Sequence, residues 1–482
     1  MTNLSGTNLN NGTAVGPQGE GRDSPSTFPK YPEYKDSGVE WLGTVPAHWV
    51  LTPIKHLALL NPRKSDFAGD TEQLCSFVPM EKLKTGVVQL DEERPIEEVI
   101  GGYTYFEDGD VLQAKVTPCF ENKNIAIAKG LTNGIGFGSS EINVLRPYQG
   151  VNAEYLYYRV QEDSYMNFCT SSMIGAGGLK RVPTDVINNF KIAAPTLCEQ
   201  TQIARFLDHE TARIDALIEE QQRLIELLKE KRQAVISHAV TRGLDPTVPM
   251  KDSGVEWLGE VPAHWAFYPI KHLALLNPRK SGFAGDTGQL CSFLPMDKLK
   301  TGVIVLDEER LVEEVIGGYT YFEDGDVLQA KVTPCFENRN IAVAKGLTNG
   351  IGFGSSEINV LRPFSGVSAE YLYYRLQEDS YMSFCTANMI GAGGLKRVPT
   401  DVINNFKVAL PELSEQIDIA KHLDRVTMRI NNLIEHSEGG VTLLQERRSA
   451  LISAAVTGKI DVRGWQPPAS TQAPELEVAE AV

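Results

Sequence analysis

The run Lys35-Asp-Ser-Gly-Val-Glu-Trp-Leu-Gly43 returns unchanged as Lys251-Asp-Ser-Gly-Val-Glu-Trp-Leu-Gly259, and the 216-residue spacing holds in register along most of the chain. Two copies of one module make up the protein, so any fold must be one that the same sequence can form twice. Between Glu97 and Pro147 the copies differ only at Lys123 against Arg339 and at Ile127 against Val343. The surface of this stretch is therefore made twice, which suits a target with two equal halves. Asp66 to Leu90 diverges more from Gly282 to Leu306, and departures from symmetry are expected there.

At 482 residues the chain exceeds what one hydrophobic core serves. Its 42% hydrophobic and 22% charged fractions are those of an ordinary globular protein. Apolar runs such as Leu57 to Leu60 are too short to span a bilayer, which argues against a membrane protein. Met1 to Ser26, rich in Asn, Gly, Thr and Ser, lacks the apolar core of a secretion signal, and the cytoplasm is the expected compartment. Six of the seven cysteines are repeat pairs, Cys75/Cys291, Cys119/Cys335 and Cys169/Cys385, while Cys198 faces Ser414 in the other copy. None forms a Cys-x-x-Cys or has a His at ligand spacing, so free thiols and no metal site are expected. With a net charge of −16, any face for nucleic acid must be local.

The fold class expected is α/β (α+β). Residues 1–30 and 461–482 lack hydrophobic periodicity and are expected as disordered tails. Residues 31–195 and 246–411 mix β-rich runs, such as Asp110 to Val116 and Ile142 to Leu145, with a helical stretch from Ala153 to Phe168. A further strand is expected over Ile187 to Ile192. Residues 196–245 carry a heptad seam of Ile203, Leu207, Ile214, Leu217, Leu224, Leu228 and Val235, interrupted by Glu210, Gln221 and Lys231. Thr196-Leu-Cys-Glu199 reads as a capping box at its start. Residues 412–460 repeat the seam through Ile419, Leu423, Val426, Ile430, Leu433, Leu444 and Leu451, with a kink or break expected at Gly439-Gly440. Antiparallel pairing of these two long helices would separate the two globular domains and give a pseudo-two-fold object. An open solenoid would need more than two repeats.

Tyr34-Lys-Asp-Ser-Gly-Val-Glu-Trp-Leu-Gly-Thr-Val-Pro-Ala-His-Trp49 and Pro195-Thr-Leu-Cys-Glu-Gln-Thr-Gln-Ile203, with its echo Pro411-Glu-Leu-Ser-Glu-Gln-Ile-Asp-Ile419, resemble the signatures of the DNA-specificity subunit of type I restriction-modification enzymes. The resemblance covers almost all of the chain between its tails. It implies that each globular unit is a target recognition domain on double-stranded DNA and each helix a spacer. It further implies that the subunit docks two methyltransferase subunits, which restriction subunits join. S-adenosylmethionine, ATP and Mg are then expected on those partners, which methylate adenine and cleave unmodified DNA, and no cofactor is expected on this chain. The family's two domains usually differ, whereas here they nearly coincide.

The residues themselves supply no catalytic apparatus. There is no Gly-x4-Gly-Lys-Ser/Thr loop for a nucleotide phosphate. Gly134-Ile-Gly-Phe-Gly138 and Gly175-Ala-Gly-Gly178 lack the strand-loop-helix setting of a dinucleotide site. Thr117-Pro-Cys-Phe120 and Thr333-Pro-Cys-Phe336 approach the shape of an amino-methyltransferase motif but lack the leading amide or acid that holds the target amino group.

For DNA contact, glycines allow close backbone approach to phosphates, and polar side chains reach base edges. One candidate group is Gly177, Gly178, Lys180 and Arg181, with Gly393, Gly394, Lys396 and Arg397, or else a solvated turn. A second is Lys115, Thr117, Lys123 and Asn124, with Lys331, Thr333, Arg339 and Asn340, or else a strand's solvent face. A third is Ser139, Ser140 and Glu141, with Ser355, Ser356 and Glu357, or else a turn closing onto the next strand. Tyr155, Tyr157 and Tyr158 are expected in the core, and His48/His264 and His56/His272 as packing or hydrogen-bonding residues. The reading is a non-catalytic reader of a bipartite, interrupted palindromic DNA site. A coiled-coil protein scaffold, a self-sufficient methyltransferase fusion and a subunit of a methylation-only complex remain as alternatives.

Overall fold

The computed structural model describes residues 28–468 except 177, 256, 257, 284 and 393. They fall into two compact units, Met1–Glu220 with Gly440–Val482 and Gln221–Gly439. In the first unit, Val111–Ala114 is buried on both faces, with Gln113 bonded to Tyr165 Oη, and lies inside a four-stranded antiparallel sheet. The strand order is Ile125–Ile127, Val111–Ala114, Ile142–Pro147, Ala58–Leu60. A second sheet runs Glu93–Pro95, Leu74–Val78, Ile135–Gly138, Thr104–Glu107, its middle pair parallel. Close packing dictates its glycines: a Cβ on Gly136 would come within 2.1 Å of the Phe106 ring. The second unit repeats both sheets strand for strand.

Several sequence expectations shift. The strand expected over Asp110 to Val116 shortens to Val111–Ala114, and the one from Ile142 extends to Pro147. The stretch Ala153 to Phe168 forms two helices, Ala153–Arg159 and Asp163–Ser171, because Glu162 caps the second by accepting from the Tyr165 amide. Ile187 to Ile192 is not a strand: Thr184–Asn189 is a helix entered after Pro183, and the strand is Lys191–Ala194.

The two long helices are Leu197–Arg242 and Leu413–Val456. The second continues through Gly439 and Gly440, so the expected break is absent. Within each unit the start of one helix packs antiparallel to the end of the other. Asp215 meets Arg448 at 2.9 Å in the first unit, and Arg232 meets Asn431 at 2.9 Å in the second. The strict heptad fails further along: Leu217 and Leu224 are 37% and 41% exposed, while Ile218 and Ile225 turn inward. Leu433 is likewise exposed and Ile434 buried. A straight α-helix drifts about 20° per heptad from a 3.5-residue repeat, so the buried stripe moves to the neighbouring position.

The capping box does not form either. Glu199 instead accepts from Tyr31 Oη at 2.6 Å and Trp49 Nε1 at 3.1 Å, and lies 2.9 Å from His48 Nε2. Gln200 accepts from the Asn152 amide and donates to Pro195 O. The two signature runs of the sequence are thus one joint between domain and helix, rebuilt in the second unit by Glu415 with Trp265 and His264. Part of each expected tail belongs to the first unit's core. Val462 is buried, Phe28 and Trp465 both pack on Phe206, and Asp461 N donates to Pro29 O at 2.7 Å. Their aromatic content outweighs the polar composition around them.

Arg159 is 0% exposed and its Nη1 donates to Glu162 at 2.8 Å, while Nε and Nη2 have no partner. Glu162 also accepts from Ser164 and, at 3.2 Å, from Ser453 of the second long helix. Burial alone would raise the Glu162 pKa, but Arg159 and Ser164 outweigh it and hold the carboxyl below its ordinary range. Glu162→Ala should therefore lower stability by about 3–5 kcal/mol by stranding a buried guanidinium, read as an earlier urea midpoint. Because the folded-state pKa is depressed, this contribution is complete above the ordinary carboxylate range and lost as pH falls through the lower folded value. The gap between wild type and Glu162→Ala should narrow in acid.

Candidate nucleic-acid interface

Ile174-Gly-Ala-Gly-Gly-Leu-Lys-Arg181 folds as a hairpin of Ile174–Ala176 against Leu179–Arg181. Its register pairs Ile174 with Arg181, Gly175 with Lys180 and Ala176 with Leu179. A Cβ on Gly175 would lie 2.2 Å from Leu179 O, so only glycine lets the strands close. Gly178 sits at φ +84°, the left-handed region. Gly177 and Gly393 lie outside the described residues.

Thr117 fastens this hairpin. Its Oγ1 donates to Gly178 O at 2.7 Å and accepts from Lys180 N at 3.0 Å, and its amide donates to Lys180 O at 3.0 Å. Arg181 adds a fork to Glu141, Nε to Oε2 at 3.0 Å and Nη2 to Oε1 at 2.8 Å. That guanidinium lowers the Glu141 pKa. Glu141 is in turn placed by a turn in which its amide donates to Ser139 Oγ at 3.2 Å. Three stretches separated in sequence, around Lys115 and Thr117, Ser139 to Glu141, and Gly178 to Arg181, therefore converge. The second domain repeats the arrangement through Thr333 with Gly394 and Lys396, and Arg397 with Glu357, which follows Ser355 and Ser356.

Not every candidate presents a free group. Lys123 donates to Asp163 at 2.9 Å, and Arg339 pairs with Asp379. Asn124 and Asn340 close the loop through backbone bonds, their carbonyls accepting from Ala114 and Ala330. The Ser139 hydroxyl serves its own turn, Arg181 is tied to Glu141, and Ser140 is exposed. Lys180 and Lys396 make only backbone bonds within the hairpin, and Lys115 and Lys331 make no side-chain hydrogen bond but lie close enough for their charge to lower the Glu141 and Glu357 pKa. Sequence reasoning missed the aliphatics beside them: Ile174 and Ile390 are each 70% exposed, and Leu179 and Leu395 49% and 48%. Apolar residues flanking a Gly-rich turn too short to fold back on them were the available signal.

The remaining sequence features are structural. Phe120 of Thr117-Pro-Cys-Phe120 is in the core. Tyr155, Tyr157 and Tyr158 are buried, and Tyr158 Oη donates to Asp208 at 2.8 Å. Among the described residues no cluster of His, Cys, Asp and Glu is placed to hold a metal, and no helix is long and apolar enough to cross a membrane.

The described residues thus form a duplicated mixed domain, each copy followed by a long helix and bearing one pinned, exposed hairpin. Residues 117–228 and 346–438 match the family described as the type I restriction modification DNA specificity domain. The chain is 36% identical over 181 residues to the type I restriction enzyme EcoEI specificity subunit of Escherichia coli, covering 37% of this chain and 30% of that one. It is 38% identical over 165 residues to the EcoAI specificity subunit of Escherichia coli, covering 33% and 27%. The chain thus spans under a third of the length of these relatives. A solved chain described under complex assembly and conformational transition of the type I R-M system shares the fold, with TM-score 0.61, 18% identity, and coverage of 86% of this chain and 98% of that one. Each of the two repeats thus contains a segment that matches the type I restriction modification DNA specificity domain.

Proposed function

We propose that this chain is the DNA-reading subunit of a type I restriction-modification complex. It carries no catalytic step itself and positions two methyltransferase subunits, with restriction subunits, on double-stranded DNA. S-adenosylmethionine, ATP and Mg then belong to those partners, in the cytoplasm. The observation that carries the reading is the hairpin presented once per domain with an unpaired lysine and exposed aliphatics. Two near-identical readers, joined by helices that pair antiparallel within each unit, suit an interrupted palindrome read in opposite senses on the two strands. Long-read detection of methylated adenines should return such a motif, and two dissimilar halves would refute it.

The hairpin's role is tested by Lys180→Ala/Lys396→Ala in the assembled methyltransferase complex. Each lost phosphate contact should reduce the slope of log affinity against log salt by about one. Adding Arg181→Ala and Arg397→Ala should weaken binding further, since Glu141 and Glu357 are then bare carboxylates facing a polyanion. Wild-type affinity and salt slope in the quadruple variant would make the hairpin an ordinary turn, and binding without sequence dependence would leave a scaffold.

A further inference from the structure

At the foot of the second domain's hairpin lies a cleft of about 330 Å³ lined by Asn277, Lys331, Asn359, Ile390, Val398 and Pro399, among others. Asn359 is 0% exposed. Its Oδ1 accepts from Asn277 Nδ2 at 3.2 Å, and Asn277 Oδ1 accepts from the Val360 amide at 2.9 Å. Both amide oxygens are therefore engaged, and this bonding fixes which way each amide points. Asn359 Nδ2 is left buried with no partner. Buried donors are almost always satisfied in a native protein, so an orphan of this kind asks for an acceptor that arrives with a ligand or a water. Lys331 adds a cation that makes no side-chain hydrogen bond, although its charge acts on the Glu357 carboxylate to which Arg397 is tied. With both amide oxygens engaged, the cleft offers the Asn359 Nδ2 and Lys331 donors beside the Thr400 hydroxyl and the apolar Ile390, Val398 and Pro399.

The first domain holds the same constellation. Asn61 Nδ2 donates to Asn143 Oδ1 at 3.2 Å, the Val144 amide donates to Asn61 Oδ1 at 2.9 Å, Asn143 Nδ2 is again buried without a partner, and Lys115 takes the place of Lys331. Asn61 and Asn277 both stand at left-handed φ, +55° and +54°, which turns each amide onto the neighbouring strand.

We propose that this constellation seats one backbone phosphodiester of the DNA in each domain, held by the Asn143 or Asn359 amide and the Lys115 or Lys331 ammonium, and so sets the register of the adjoining hairpin. Shape favours the backbone over a base: base edges lie on the floor of a groove and must be reached by a projecting element, which the hairpin is, whereas the backbone is a ridge that enters a concave site. A phosphodiester oxygen offers only acceptors and one negative charge, the complement of that amide and ammonium. This inference rests on the DNA-reading function proposed above.

The test uses the full chain in its methyltransferase complex, with duplexes of its own site carrying one neutral methylphosphonate at each position in turn. Wild type should lose about tenfold in affinity at one phosphate per half-site. Lys115→Gln/Lys331→Gln should bind natural DNA more weakly, with a salt slope lower by about two, and be indifferent to neutralising those phosphates. Its methylated motif should be unchanged. Asn143→Asp/Asn359→Asp, which keeps the side-chain shape but repels an anion, should lose the same two contacts. No coupled phosphate, or an altered motif, would overturn the seat. Wild type that fails to bind its site at all would overturn the function, whereas wild type that binds while the lysine variant matches it at every position would overturn the seat alone.

Discussion

Ile174→Ser/Leu179→Ser/Ile390→Ser/Leu395→Ser should bind the DNA site about a thousandfold more weakly than wild type, while unfolding at the same temperature. The four side chains project from the free protein, at exposures between 48% and 70%, so their loss removes little from the fold. In the register of the hairpin, Ile174, Ala176 and Leu179 share one face with Arg181, and Gly175 and Lys180 the other. A hairpin held at its base by Thr117 and by the Arg181–Glu141 fork can carry that aliphatic face into a groove without ordering itself first. There it would meet thymine methyls and sugars. Covering part of each side chain is worth about 1 kcal/mol, and four such contacts amount to roughly three orders of magnitude. Fluorescence anisotropy with a labelled duplex measures the loss, and thermal unfolding guards the fold. Equal affinity in the quadruple variant would remove the aliphatic face from the interface and leave binding to the charges alone.

How much of this was legible beforehand follows from the range of each interaction. The repeat and the Gly-rich turn are local features, and so the two domains, the long helices and the hairpin's location could be read from residues alone. The fork between Arg181 and Glu141 joins residues 40 apart, and the engagement of Lys123 by Asp163 likewise depends on which turn the fold sets beside it. Sequence treated all of these as available side chains. The same limit explains Glu199: a Thr-x-x-Glu run satisfies the local rule for a cap, but a buried Trp49 and Tyr31 offer stronger donors from 150 and 168 residues away. The seam was legible as a stripe but not at its far end, because Leu217-Ile218 and Leu224-Ile225 offer apolar residues at both adjacent positions and only the geometry of the pair chooses between them.

The first half of the chain, residues 28–249, should associate with itself and methylate the full chain's motif when combined with the methyltransferase partner. Each unit pairs the beginning of one long helix with the end of the other, and the ends are repeats of each other: Arg232 occupies in the second unit the position that Arg448 holds in the first. Two copies of the first half would therefore set Asp215 of one against Arg232 of the other, twice per dimer. Two copies of the second half would set Asn431 against Arg448, with no charge to pair. Each exposed ion pair contributes about 0.2–1 kcal/mol. Gly439 and Gly440 leave the helix continuous, yet each disfavours it by about 1 kcal/mol relative to alanine, a burden that a second-half dimer carries in both chains. The first half gives up the buried Ile460 and Val462 and the contact of Trp465 with Phe206, a loss that works against its dimer. The expected result is dimerisation of the first half at tens of micromolar and at least tenfold weaker association of the second, since tethering in the intact chain supplies an effective concentration of roughly millimolar that the separate halves lack. Asp215→Asn should weaken the first-half dimer and Asn431→Asp strengthen the second, both effects fading at high salt. Sedimentation of each half alone, followed by methylation mapping, decides it: a first half that stays monomeric, or one indifferent to Asp215→Asn, would break the pairing argument.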